Sequence, residues 1–89
     1  MPERLVTVVP EDGIHARPAS KFVEAANEAA ADIRVGRPGE DLVNAASMLS
    51  VTGLDVGPGE EVQVVAEGDG AETALDQLER ILRTPEDEL

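Results

Sequence analysis

Eighty-nine residues with 42% hydrophobic content, one aromatic side chain (Phe22) and no cysteine suffice for a single small domain, expected over 1–89, and exclude disulfide staples and thiolate metal sites. Seven Lys and Arg against nineteen Asp and Glu give a net charge of −12, with Lys21 the only lysine; such a field repels nucleic acid and anionic membranes and suits a salt-rich cell whose counterions screen self-repulsion. No run is apolar for long enough to be a signal-peptide core or a membrane span, so the expectation is a cytoplasmic chain with no membrane insertion.

In chain order, Arg4 to Val9 (RLVTVV) is rich in β-formers and is stopped by Pro10. Glu11–Gly13 (EDG) is turn chemistry. From Ala16 the apolar positions Ala19, Phe22, Val23, Ala26 and Ala30 step by three and four, which predicts one face of a helix. Pro18 fits in its first turn, where a missing N–H costs little, and His15 falls at the N-cap. Ile33 and Val35 alternate with polar neighbours, PGED turns the chain, and Leu42–Asn44 returns as a short strand, so the two predict a hairpin. A short helix comes next with Ser47 as N-cap and Gly53 at its end. GPGE is a turn and EVQVVAE a fourth strand. A last helix places Ala71, Ala74, Leu75, Leu78, Ile81 and Leu82 on one face, with Asp69 as N-cap and Glu72 three residues on. Pro85 and EDEL form an acidic tail. The order β-α-β-β-α-β-α, with helices that are apolar on one face only, predicts a two-layer α+β domain: one antiparallel sheet with its helices on one side.

The chemistry centres on GIHARPAS (13–20), which holds the only histidine. An imidazole is a neutral nucleophile near pH 7. The positive end of a helix dipole and its free N–H groups favour the uncharged ring. The same N–H groups then favour an anion attached to it. Arg17, in the first turn, offers a guanidinium fork for phosphoryl oxygens, and Gly13 gives the loop the freedom to bring the ring into place. A lone histidine beside an arginine at a helix start is equally compatible with an ordinary surface loop. Without a second histidine or a cysteine the ring has no partners for a metal site, no serine stands in a nucleophile-elbow context, and no cofactor is called for. Ser47 is explained by capping alone, although a capping serine also accepts phosphorylation where the dipole favours the added charge. Met48, Leu49 and Val51 read as core, or, where exposed, as a docking patch. The acidic pairs Glu40–Asp41 and Glu60–Glu61 and the tail Glu86–Glu88 read as solvated surface.

With these residues in place, the chain resembles the HPr family, the histidine-containing phosphocarriers of the phosphoenolpyruvate–sugar phosphotransferase system. GIHARPA resembles the family's active-site signature and VNAASMLSVTGL its second motif, which carries a regulatory serine at the position of Ser47. The resemblance covers the whole chain. It implies an open-faced sandwich whose four antiparallel strands run in the order 1-4-2-3, with three helices on one face. It also implies phosphoryl transfer from enzyme I to Nδ1 of His15 and on to an enzyme IIA domain, with Arg17 and the backbone N–H groups of Ala16 and Arg17 steadying the phosphoryl group. Docking would run through Met48, Leu49 and Thr52. The expected role is that of a stoichiometric carrier, a monomer by default, and not an enzyme. Ala46 and Ser50 stand where the family often has lysine and glycine, next to the regulatory serine. Lys21 on the first helix is followed by Glu24 and Glu28, where basic residues are common in the family.

Two further readings stay open at this level. The phosphoryl acceptor is a dihydroxyacetone kinase or a regulatory nitrogen-type branch, or the domain is a non-covalent binding module that docks through Met48, Leu49 and nearby residues.

Overall fold

Valines at alternate positions dictate which side of each strand is buried. The structure, a computed structural model, describes residues 2–11 and 13–89 and, of Glu86, the backbone. Strand β1 (Glu3–Thr7) pairs with β4 (Glu61–Glu67), β4 with β2 (Asp32–Gly36), and β2 with β3 (Val43–Asn44), every pair antiparallel, in the sheet order β1-β4-β2-β3. Val6 lies opposite Val62, Val35 opposite Val64 and Ile33 opposite Ala66, and all six are buried on one face. Leu5, Gln63 and Arg34 take the intervening positions on the other face, and Leu5 is exposed there. A strand with period-two alternation covers one face of a sheet and leaves the other to solvent.

The helices cover the apolar face. Helix α1 (Ala16–Glu28) buries Pro18, Ala19, Phe22 and Ala26, and helix α3 (Ala71–Leu82) buries Ala71, Ala74, Leu75, Leu78 and Leu82. The short α2 (Met48–Thr52) contributes Val51. Phe22, Ile14, Leu75, Leu78 and Leu82 are among the largest fully buried side chains, set into a cluster otherwise made of Val, Ile and Ala. No described helix is long and apolar enough to cross a membrane. The element order, the antiparallel sheet in the order 1-4-2-3 and the single helical layer agree with the architecture expected from the sequence.

Several details differ. The first strand ends at Thr7, not Val9, because the amides of Val8 and Val9 donate to Glu60 and to the α3 carbonyl of Leu82 rather than along the β1–β4 ladder. Helix α1 stops at Glu28, with Ala29 already extended, so Ala30 lies beyond it and is exposed. The return strand of the hairpin begins at Val43, one residue after Leu42. The N-cap of α3 is Gly70 and not Asp69: Gly70 takes the left-handed conformation at φ 74°, which a glycine adopts without strain, and no side chain caps the helix. In α3, Ile81 is partly buried where its neighbours on the apolar face are fully so. The acidic tail includes a short 3₁₀ turn, Glu86–Glu88. The turn expected at Glu11–Gly13 includes Asp12, which lies outside the described residues.

Candidate functional site at the start of the first helix

His15 is the N-cap of α1, at φ −136° and ψ 167°, and its side chain makes no capping hydrogen bond. Its carbonyl accepts the Ala19 N–H at 3.4 Å, and its imidazole is 40% exposed. The amides of Ala16 and Arg17 precede the first i→i−4 bond of the helix and have no partner within it. No acidic residue occupies the first turn. The helix dipole and Arg17 each favour an anion at this end of the helix. Ala16 has φ 49°, in the left-handed region. For a residue with a Cβ that conformation costs of the order of 1–3 kcal/mol and persists only where surrounding structure imposes it.

The surroundings are explicit. Gly13, at φ 70°, lies so close to the loop before β4 that a Cβ there would sit 2.1 Å from the Val56 carbonyl oxygen and 2.8 Å from Gly57 Cα. Ile14 donates its N–H to that same carbonyl at 3.0 Å and buries its side chain completely. Gly13 is thus needed for close approach as well as for freedom of the loop. The chain entering α1 is laid directly on residues 54–57, and His15 Nε2 comes to 3.5 Å from Asp55 Oδ1.

That second loop is itself held. The Arg37 guanidinium donates to the carbonyls of Leu54 at 3.2 Å and Asp55 at 3.0 Å and forms an ion pair with Glu60. Glu60 accepts the Gly57 N–H through its other oxygen at 2.6 Å. The Gly57 N–H and the Arg37 guanidinium hold the Glu60 carboxyl below its ordinary range, and Glu60 in turn raises Arg37. Glu60, expected as solvated surface, is instead a fastener of this loop. Neither Glu60 nor Asp55 carries a sequence signal for such a role. Arg37, the partner of Glu60, and His15, the partner of Asp55, lie far off in the chain, and the Asp55 φ of 53° is visible only in the folded loop.

The remaining residues singled out from the sequence fall around this centre. Arg17 is exposed, and its guanidinium donates to the Leu89 carbonyl at 3.1 Å, beside a polar hollow lined by Glu11, Ala16, Arg17 and Asp87. Ser47 is the N-cap of α2, as expected, with its Oγ accepting the Ser50 N–H at 3.2 Å. Asn27 ties the two helices together by donating from α1 to the Ala46 carbonyl at 3.2 Å, just ahead of that cap. Of the apolar trio, Val51 is core, whereas Met48 is 41% and Leu49 84% exposed. The Thr52 hydroxyl donates back to the Met48 carbonyl at 2.8 Å, within its own helix. On α1, Lys21, Glu24 and Glu28 all face solvent.

Known proteins share this sequence and this fold. A family profile described as the PTS HPr component phosphorylation site matches residues 2–84. The phosphocarrier protein HPr of Haloferax volcanii is 71% identical over 85 residues, covering 94% of this chain and 96% of the relative. HPr of Streptomyces coelicolor is 42% identical over 89 residues, covering 100% and 96%. Among solved structures, the crystal structure of HPr from Bacillus anthracis superposes with a TM-score of 0.85 at 36% identity, covering 91% of this chain and 95% of the other. Sequence likeness along nearly the whole length and the same fold therefore lead to one conclusion: the chain belongs to the HPr family, whose members are phosphocarriers of the phosphotransferase system and not catalysts.

Proposed function

We propose that this protein carries a phosphoryl group on Nδ1 of His15, receiving it from phosphorylated enzyme I and passing it to an enzyme IIA domain in the cytoplasm. The observation that carries the reading is the setting of the ring: half-exposed, at the N-cap of α1, with no capping bond to occupy it and two amides beside it that have no partner within the helix. A carrier needs a group that is held without being buried, because the same bond must form with one partner and break with the next. The Ala16 and Arg17 amides supply directed donors for phosphoryl oxygens, and Arg17, free to leave the Leu89 carbonyl on the surface, adds a charge-assisted contact. Exposed Met48 and Leu49, next to α1 through the Asn27–Ala46 bond, offer apolar contact area to both partners, with Thr52 at the edge of that surface. Ser47 is positioned as a cap, and phosphorylation there would add charge at that helix start. The protein acts as a monomer, and the acceptor class, an enzyme IIA domain rather than a dihydroxyacetone kinase, is read by transfer to each in turn.

The test is intact mass and phosphorus NMR after mixing with phosphoenolpyruvate and the enzyme I of the same organism. One acid-labile, alkali-stable phosphoryl group is expected, and none in His15→Ala. If the folded wild-type protein takes up no phosphoryl group from an active enzyme I, the proposal is wrong.

A further inference from the structure

Asp55 is an aspartate where the backbone would accept a glycine more readily. Its φ of 53° lies in the left-handed region, and Asp tolerates that region better than most residues but still less well than glycine. Its carboxylate is 91% exposed, so it fills no space in the core. The one titratable side chain that its carboxylate meets within ion-pair distance among the described residues is His15, with Oδ1 3.5 Å from Nε2. Its backbone, by contrast, is firmly placed: Arg37 holds the Asp55 and Leu54 carbonyls, Glu60 holds Arg37 and the Gly57 N–H, and Ile14 holds the Val56 carbonyl. A locally unfavourable residue on a loop pinned at this many points, with its side chain aimed at the reactive ring, is the pattern of a functional constraint.

We propose that Asp55 is a positioning residue for the carrier reaction: its carboxylate holds the His15 proton on Nε2 and so leaves the lone pair on Nδ1, the atom that accepts the phosphoryl group. The inference rests on the carrier reading above. In a neutral imidazole one nitrogen is a donor and the other an acceptor, and the partner of one decides which. An acceptor-only carboxylate beside Nε2 selects the form protonated there. The Nδ1 lone pair then forms the N–P bond as the donor's bond to phosphorus breaks and its electron pair leaves with the donor. The ring keeps its Nε2 proton and takes on positive charge, which the carboxylate offsets. Arg37 lies on the backbone side of Asp55, bound to its carbonyl, and Arg17 is turned to Leu89.

The tautomer is read directly from imidazole ¹⁵N shifts of the unmodified protein above the midpoint of its histidine titration, and the reaction from the rate of phosphoryl uptake with enzyme I. Asp55→Asn keeps the turn, and Asp55→Gly keeps it with less strain. Both are expected to lower the fraction protonated at Nε2 and to slow uptake about two- to fivefold, the range an exposed ion pair supports. Asp55→Gly is expected to be no less stable than the parent, which separates the effect from a folding defect. An unchanged tautomer ratio in both variants, or a shifted ratio with unchanged uptake, overturns the proposal. Failure of wild-type protein to be phosphorylated at all is a different result: it overturns the carrier reading, while the shift measurement still decides whether Asp55 sets the tautomer.

Discussion

Gly13 does at the scale of one residue what no side chain could do. A β-carbon at that position meets the Val56 carbonyl at 2.1 Å, and backbone cannot rotate out of the way as a side chain can. Gly13→Ala is therefore expected to destabilise the protein by about 2–4 kcal/mol: the left-handed φ alone costs about 1–2 kcal/mol, and the overlap pushes the two loops apart. Urea unfolding measures it, and a midpoint within error of wild type would contradict the close packing of residues 13–14 on 56–57. The same spread would draw His15 away from Asp55, so the variant that does fold is expected to take up the phosphoryl group about two- to fivefold more slowly, as the Asp55 variants do.

At the scale of elements, what positions the site is the connection between the strand ends. Arg37 follows β2, Glu60 precedes β4, and their ion pair closes over the loop that carries Asp55. The Gly57 N–H and then Arg37 hold the Glu60 carboxyl below its ordinary range. A depressed folded value means that the ionised form is favoured by folding. The contribution is fully present above the unfolded glutamate value of about 4.3 and is lost as pH falls through the lower folded value. Glu60→Gln is accordingly expected to have a lower Tm than wild type at pH 7, with the gap narrowing as pH drops below about 4. Thermal unfolding at the two pH values tests this, and a gap that is constant with pH would show that the carboxylate's charge is not what fastens the loop. The cap of α2 is a simpler connection, one hydrogen bond from the Ser50 N–H to Ser47 Oγ that orients the exposed Met48 and Leu49.

The whole molecule is governed by its charge. A net −12 on 89 residues is spread mostly over solvated carboxylates, with clusters such as Arg4 against Asp76 and Glu79 as local exceptions. At low ionic strength the self-repulsion acts across the domain, because the Debye length of about 30 Å at 0.01 M matches its size; at 1 M it falls to about 3 Å. The Tm is expected to rise steeply between these conditions, in keeping with likeness to a Haloferax protein. A Tm independent of salt would mean that the acidic surface has no bearing on stability.

Sequence by itself determined, in this protein, the features that depend on neighbours along the chain. Alternating valines and the three–four spacing of Ala19, Phe22, Ala26 and of Leu75, Leu78, Leu82 decide which residues are strand, helix and core. Pro18 and the chain before it place His15 at a helix start, and Ser47 is a cap because its own hydroxyl reaches an amide three residues on. Element ends were less legible: Val8 and Val9 have strand propensity, but their hydrogen bonds go to Glu60 and Leu82, far off in the chain. Asp69 has the chemistry of a cap, yet the turn after β4 delivers a left-handed residue one place later, which Gly70 fills. Tertiary structure alone brought Asp55 to the histidine and Arg37 and Glu60 to the loop that carries it. Their side chains are ordinary in sequence, and a contact between residues 15 and 55 exists only because the sheet order lays the loop before β4 beside the loop before α1.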